Sequence, residues 1–491
     1  VRDAWGVIRV LEVGDYRFLE FGEAIEQSCT YTRDPAWLEY DYTRAMLLGA
    51  LCHEAPENAL FLGLGGGTLT QACLKFLELE DVEAIELRPD VPRLAMQYLG
   101  RPISFTHAYF EAVSGLTTTG ATVLTGLDAL PLSVNMWRTF LQWMGGMGIL
   151  ILAVAVLPLL GVGGSQLFKA EAAGPIKDTK LTPRMTETAK GLWGVYAVFS
   201  VLCTLAFWAG GMGFADAVMH MFTTVSLGGL SSHDASFAYF DSPLLEVIAV
   251  AFMLVASCNF ALYFIALRKG HWQGFWRDPE MHATMVALIG GGLVVALLLW
   301  AKDVYEPLQA LRYGMFHVVS VATTTGYATT DYLAWPVFAP VFMLLLSGVA
   351  TSAGSTGGGI KMVRMLILIQ QARREMTRLV HPRAVQPVVL GGRVVDNRMI
   401  FSVLAFMLVY GATVIVLSMV LLLTDLDPVS AFSAVLASVH CMGPGLGAIG
   451  PSSNYAALSD FQVWVCTLAM LLGRLEILSF MALLTPAFWR R

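Results

Sequence analysis

From residue 102 onward the chain alternates long apolar runs with short polar connections. Runs at residues 136–160, 192–210, 244–267, 281–300, 400–423 and 463–484 come near or exceed the length that crosses a bilayer, about twenty residues. A further run is split into 338–349 and 362–370. Between them lie 103–123, 214–225, 306–323 and 428–441, each read as a short helix running into a loop. Residues 1–100 carry no spanning run and read as α/β. There the pattern predicts a hairpin of 7–13 and 16–21 turning at Gly14-Asp15, a helix at 44–52, a strand at 59–64, a helix at 69–79 and a strand at 82–87.

Composition agrees: 56% of residues are hydrophobic, 14% are charged, and the mean hydropathy is +0.63, which excludes a soluble globular chain. The formal charge of −6 matters less than where the charges fall. Basic loops at 169–190, 268–277 and 373–393 share one side with the terminal Arg490-Arg491, and the positive-inside rule makes that side cytoplasmic. Asp128, Asp234, Asp241, Asp303, Asp331, Asp425, Asp427 and Asp460 fall on the other, where they would concentrate cations or simply solvate loops. Seven cysteines without paired or metal-ligand spacing point away from a disulfide framework. No signal peptide is visible, and the opening Val1 leaves the natural start open.

One stretch carries the chemistry. VSVATTTGYATTD at 319–331 places Thr324, Thr325 and Gly326 between apolar runs, too polar to face lipid. Such backbone must be buried in protein or turned toward water, and rings of carbonyls that replace a hydration shell are how cation filters are built. FEAVSGLTTTGATVLTG at 110–126 repeats it with Gly120; FTTVSLGGLSS at 222–232 and FSAVLASVHCMGPGLG at 432–447 place Gly228 and Gly443 there. Recurrence at roughly hundred-residue intervals favours a four-part ring over a simple helix-packing motif.

Two further signals lie beneath. SAGSTGGGIK at 352–361 interrupts an apolar run with Gly357, Gly358 and Gly359, and such a break survives only beside a cavity or as a passive kink. Arg474 sits inside run 463–484, where a charge lines a pore or finds a partner. Glu476, two residues on, diverges from it on a helix. Asn259, within run 244–267, is read as structural.

Residues 42–99, with FLGLGGGTLTQACLKFLELEDVEAIELRPDV, resemble the N-terminal half of the spermidine synthase family, whose fold is that of S-adenosylmethionine-dependent methyltransferases. The resemblance implies that Gly63, Gly65 and Glu86 lie against a nucleoside-bearing ligand. The family's later strands and its acidic motif are absent, which makes residues 1–100 a truncated Rossmann-like segment. The alternative functions are thus an aminopropyl- or methyltransferase-like fragment, or a non-conducting fusion remnant.

From about residue 103 to the end, the loop motifs with SAGSTGGGIKMVR, RLVHPRAV and MGPGLGAIGP resemble the TrkH family of potassium uptake proteins, relatives of KtrB and plant HKT transporters. The resemblance implies a mainly α membrane protein of four helix–pore-loop–helix pseudo-repeats, with the first repeat lacking its outer helix. It implies potassium uptake rather than enzyme chemistry, K⁺ as the transported ion and no organic cofactor. It also implies a homodimer in the inner membrane with a cytoplasmic C-terminus and a cytosolic TrkA-like nucleotide-binding subunit; no nucleic acid is expected. Filter carbonyls would come from Thr118, Thr119 and Gly120; Ser226, Leu227 and Gly228; Thr324, Thr325 and Gly326; and Cys441, Met442 and Gly443. Gly354, Ser355, Thr356, Gly357, Gly358 and Gly359 with Arg474 would form the gate.

Overall fold

The computed structural model describes residues 2–3, 6–21, 25–34, 36–40, 43–44, 58–62, 68–76 and 81–85, then 104–148, 185–270, 272–475, 477 and 480–481. The chain divides into one unit of residues 1–105 with 128–132 and a second of 106–127 with 133–491.

In the first unit an antiparallel sheet runs in the order β1 (Arg2–Asp3), β2 (Gly6–Val13), β3 (Tyr16–Phe21) and β4 (Ile25–Tyr31). Val13 pairs with Tyr16 across the expected turn, where Gly14 takes the left-handed conformation a tight hairpin needs. β5 (Asn58–Leu62) and β6 (Asp81–Ile85) pair in parallel, joined through α1 (Thr68–Phe76), which is one β–α–β unit. Gly63, Gly65 and Glu86 lie outside the described residues, as does most of the helix expected at 44–52.

The second unit is helical. In order come α2 (Phe105–Leu116), α3 (Leu132–Trp143), which passes into a π turn at Met144–Gly148, α4 (Met185–Ala209), α5 (Phe214–Val225), α6 (Pro243–Ala256) and α7 (Phe260–Lys269). Then follow α8 (Pro279–Ala301), α9 (Pro307–Ala322), α10 (Phe338–Ser347), α11 (Met362–Val380), α12 (Asn397–Leu422), α13 (Pro428–His440) and α14 (Asp460–Arg474). Several starts are written as a capping residue before proline, whose missing N–H costs nothing at the first helical position: Ser242-Pro243, Asp278-Pro279 and Asp427-Pro428. Ser459 and Gln462 close a capping box on α14.

Among the described residues, α4 from Lys190, α8 and α12 are long and apolar enough to cross a membrane. Their outer faces, with Val201, Leu205 and Trp208 on α4 and Leu408, Ile415 and Met419 on α12, are exposed and apolar, as lipid-facing helices are. The run at 244–267 is not the single span its hydropathy predicts. α6 and α7 meet at 83° across Ser257–Asn259. Asn259 is the reason: its side chain accepts the Ala261 N–H and starts a new helix. The ends of runs 136–160 and 463–484, much of the basic loop 169–190, and Glu476 fall outside the described residues.

Candidate functional site

Four short helices of the second unit share one design: α2 and α5 have 12 residues each, α9 has 16 and α13 has 13, each too few to cross a bilayer. All four end in the same way. Thr118, Leu227, Thr324 and Cys441 each take a left-handed conformation, with φ of 53°, 56°, 67° and 55°. Their N–H groups donate three residues back, to Gly115, Thr224, Val321 and Ser438. The next N–H in each loop donates five back: Thr119 to Ser114, Gly228 to Thr223, Thr325 to Ser320 and Met442 to Ala437.

This pattern sets the register of the loops and corrects one of them. The residue after Thr119, Thr325 and Met442 is Gly120, Gly326 and Gly443; in the second loop it is Gly229, not Gly228. The second triplet is therefore Leu227, Gly228 and Gly229, and Ser226 belongs to the end of the helix as its C-cap. Two adjacent glycines made the offset invisible in the sequence.

The loops close on one another in chain order. A Cβ added at Gly120 would stand 1.9 Å from the Gly228 carbonyl oxygen, and one at Gly229 would stand 1.7 Å from that of Thr325. One at Gly326 would meet Pro444 at 2.7 Å, and one at Gly443 would meet the Gly120 oxygen at 2.7 Å, completing the circuit. First touches second, second third, third fourth, and fourth first. A side chain would enter the neighbouring backbone at three of these points and the Pro444 ring at the fourth.

Buried side chains hold the loops from outside. In the first, Glu111 Oε1 accepts the Val123 N–H at 2.7 Å and the Thr122 hydroxyl at 2.5 Å, while Oε2 accepts from Arg138 Nε at 3.0 Å. In the second, Gln142 donates to the Gly228 carbonyl at 2.8 Å and accepts the Leu230 N–H at 3.1 Å. In the third, His317 Nε2 accepts the N–H groups of Thr329 and Thr330. In the fourth, Ser433 Oγ accepts the Leu446 N–H at 2.9 Å and Tyr455 donates to the Gly443 carbonyl at 3.0 Å. The first and third loops are twins in detail: Ser114 donates to Ala121 O and Ser320 to Tyr327 O, and Thr117–Thr119 and Thr323–Thr325 pair through their hydroxyls. None of these braces was predicted. A glutamate or glutamine inside an otherwise apolar helix was the available signal.

Segment 348–361, between α10 and α11, lies against the ends of these loops. Gly358 N–H donates to Thr324 Oγ1 at 3.0 Å, and a Cβ there would meet the His440 carbonyl at 1.9 Å. A Cβ at Gly357 would stand 3.1 Å from the Thr323 oxygen. Thr356 Oγ1 donates to the Val225 carbonyl at 3.0 Å, and Ser355 is buried beside it. The segment's near end is seated in the α6–α7 break, where Ser352 N–H donates to Ser257 O and Phe260 N–H to Gly354 O. Glu280 accepts the Ala353 N–H at 2.6 Å. Gly359 and Lys361 are left-handed, and Lys361 Nζ donates to the Gly357 carbonyl.

Arg474 joins this segment to the first loop's side of the ring. It donates to Thr356 O at 2.9 Å and to Gly145 O and Gly146 O at 2.7 Å each, carbonyls that the π turn presents. Of the eight aspartates expected at the outer mouth, Asp234, Asp331 and Asp427 accept backbone N–H groups, so their first task is to hold loops and caps.

The TrkH family profile, described as a cation transport protein, matches residues 92–490. The chain is 47% identical over 391 residues to the Trk system potassium uptake protein TrkH of Vibrio parahaemolyticus, covering 79% of this chain and 80% of that one. It is 44% identical over 389 residues to the Escherichia coli protein of the same name, with the same coverage. The crystal structure of the potassium transporter TrkH from Vibrio parahaemolyticus superposes with a TM-score of 0.71 at 38% identity, covering 91% of this chain and 96% of that one. The ring of four loops therefore sits in a protein of known kind: the chain belongs to the TrkH family of cation transport proteins.

Proposed function

We propose that this chain takes up potassium by letting K⁺ permeate through the ring of four loops. The observation that carries the reading is the closure of four left-handed loops, in order, within one chain. Ions would shed water onto carbonyls of Thr118, Thr119 and Gly120, Leu227, Gly228 and Gly229, Thr324, Thr325 and Gly326, and Cys441, Met442 and Gly443. Gly354–Gly359 and Arg474 act as the gate: the segment lies against three loops, and the guanidinium puts a positive charge where a cation would pass. Transport needs no covalent step and no organic cofactor. The names of the relatives, Trk system potassium uptake proteins, support both the ion and a multicomponent system.

The finer reading is a homodimer in the inner membrane, with a cytoplasmic C-terminus and a TrkA-like nucleotide-binding subunit docked on the cytoplasmic side. The basic loops 268–277 and 373–393 support that orientation. Residues 103–491 form the membrane domain of four pseudo-repeats. Residues 1–100 form a separate spermidine synthase-like α/β segment, for which the β5–α1–β6 unit is the support. Rb⁺ uptake into proteoliposomes holding the full chain tests the function. Uptake that discriminates against Na⁺, and loses that discrimination in Gly326→Ser, is the expected result; equal uptake of both ions by the unaltered chain would overturn it.

A further inference from the structure

Among the described residues, the second loop alone of the four has a clamp that comes from another repeat's helix and grips the backbone with both a donor and an acceptor. Gln142, on α3, is fully buried. Its Nε2 donates to Gly228 O at 2.8 Å and its Oε1 accepts from Leu230 N at 3.1 Å. The two contacts straddle Gly229, the residue in register with Gly120, Gly326 and Gly443. The fit leaves no slack, because a Cβ at Gly228 would lie 2.4 Å from Gln142 Cδ. The Gly-Gly pair thus has two separate causes: Gly228 makes room for the glutamine, and Gly229 makes room for Thr325.

We propose that Gln142 is a specificity-determining positioning residue, which sets ion discrimination by fixing the peptide planes of Gly228 to Leu230. The inference rests on the ring being the ion path. A primary amide offers, while uncharged, a donor and an acceptor on neighbouring atoms, so it can match the C=O and N–H of the loop at once. The Gly228 oxygen keeps its second lone pair, and its direction is set by the amide rather than by whichever ion is present. Without the clamp, the loop would relax around the smaller, more strongly hydrated Na⁺ as readily as around K⁺.

Two replacements separate the clamp from mere packing. Gln142→Glu keeps the shape and the acceptor for Leu230 but turns a second oxygen toward the Gly228 carbonyl. Gln142→Met keeps the volume and removes both hydrogen bonds. The full chain and both variants are reconstituted, and Rb⁺ and Na⁺ uptake are compared. In detergent, the rise in melting temperature caused by K⁺ is compared with that caused by Na⁺, which also reads any variant too weak to reconstitute. The expected result is a fall of about tenfold in the Rb⁺/Na⁺ ratio for both variants, the scale of one lost hydrogen bond at an ion site, with the K⁺-specific stabilisation shrinking in parallel. A role in folding alone would lower the melting temperature in both salts equally and leave the ratio within about twofold, and that outcome overturns the inference while the ring reading stands. An unaltered chain that fails to prefer Rb⁺ overturns both.

Discussion

Arg474 and Thr356 are joined by a hydrogen bond of 2.9 Å from guanidinium to backbone carbonyl. The same guanidinium holds the carbonyls of Gly145 and Gly146, so one side chain ties segment 348–361 to the helix that follows the first loop. Among the described residues no carboxylate lies within ion-pair distance of it. Its hydrogen bonds go to carbonyl dipoles, and in the proposed gate its positive charge would act as a barrier to cations. Arg474→Gln keeps some of the hydrogen bonding and removes the charge; Arg474→Ala removes both. Rb⁺ uptake should rise several-fold in Ala and less in Gln. Unchanged flux in both would remove Arg474 from the gate.

The corrected register makes a sharp distinction between two neighbouring glycines. Gly229 has φ of +75° and would drive a Cβ into the Thr325 carbonyl, so Gly229→Ala must push two loops apart. We expect the Rb⁺/Na⁺ ratio to collapse in Gly229→Ala. In Ser226→Ala the side chain lost is on the helix C-cap, and the ratio should hold. The reverse ranking would restore the register first read from the sequence.

Glu111 and Arg138 form an ion pair at 3.0 Å with both side chains almost fully buried. Leaving one partner alone in that site is the costly event, about 3–5 kcal/mol, whereas losing both together is far milder. Glu111→Gln or Arg138→Met should thus lower the melting temperature in detergent more than the double variant does. Additive losses would mean that the two groups do not depend on each other.

Asp427 caps α13 by accepting from the N–H groups of Val429 and Ser430. Hydrogen bonds from Ser430, side chain first and then backbone, with a further one from Val429, lower its carboxyl below the ordinary value of 3.8. A carboxyl lowered on folding contributes stability above its unfolded value and loses it as pH falls through the folded one. Asp427→Ala should cost about 1 kcal/mol at neutral pH. The gap from the unaltered chain should narrow when thermal unfolding is repeated below pH 3.8.

What could be read in advance follows the physics of repetition. The first and third loops repeat Thr-Thr-Gly literally and share the same hydroxyl pairing, so either one identifies the other. The start of the helix in 428–441 was readable because Asp427 caps it and Pro428 follows, and that of 214–225 because glycines precede it. Hydropathy could not show the α6–α7 bend, since Ser257, Cys258 and Asn259 are too few to lower the average of a long run. Asn259 in mid-span was the sign, as an N-cap residue rather than a packing one. The partners of Arg474 come from positions 145, 146 and 356, and they are main-chain atoms that no side-chain pattern announces.

The circuit of loops closes within a single chain. A channel assembled from four identical subunits receives every substitution four times over, at matching points of its circumference. Here a substitution enters once. One side of the ring can carry Cys441 and Met442 while another carries Thr118 and Thr119, and one can be held by an amide while its neighbours are held by a carboxylate and an imidazole. In the proposed filter, ion preference can therefore be retuned a quarter-turn at a time, through changes that a symmetric assembly would have to accept all at once.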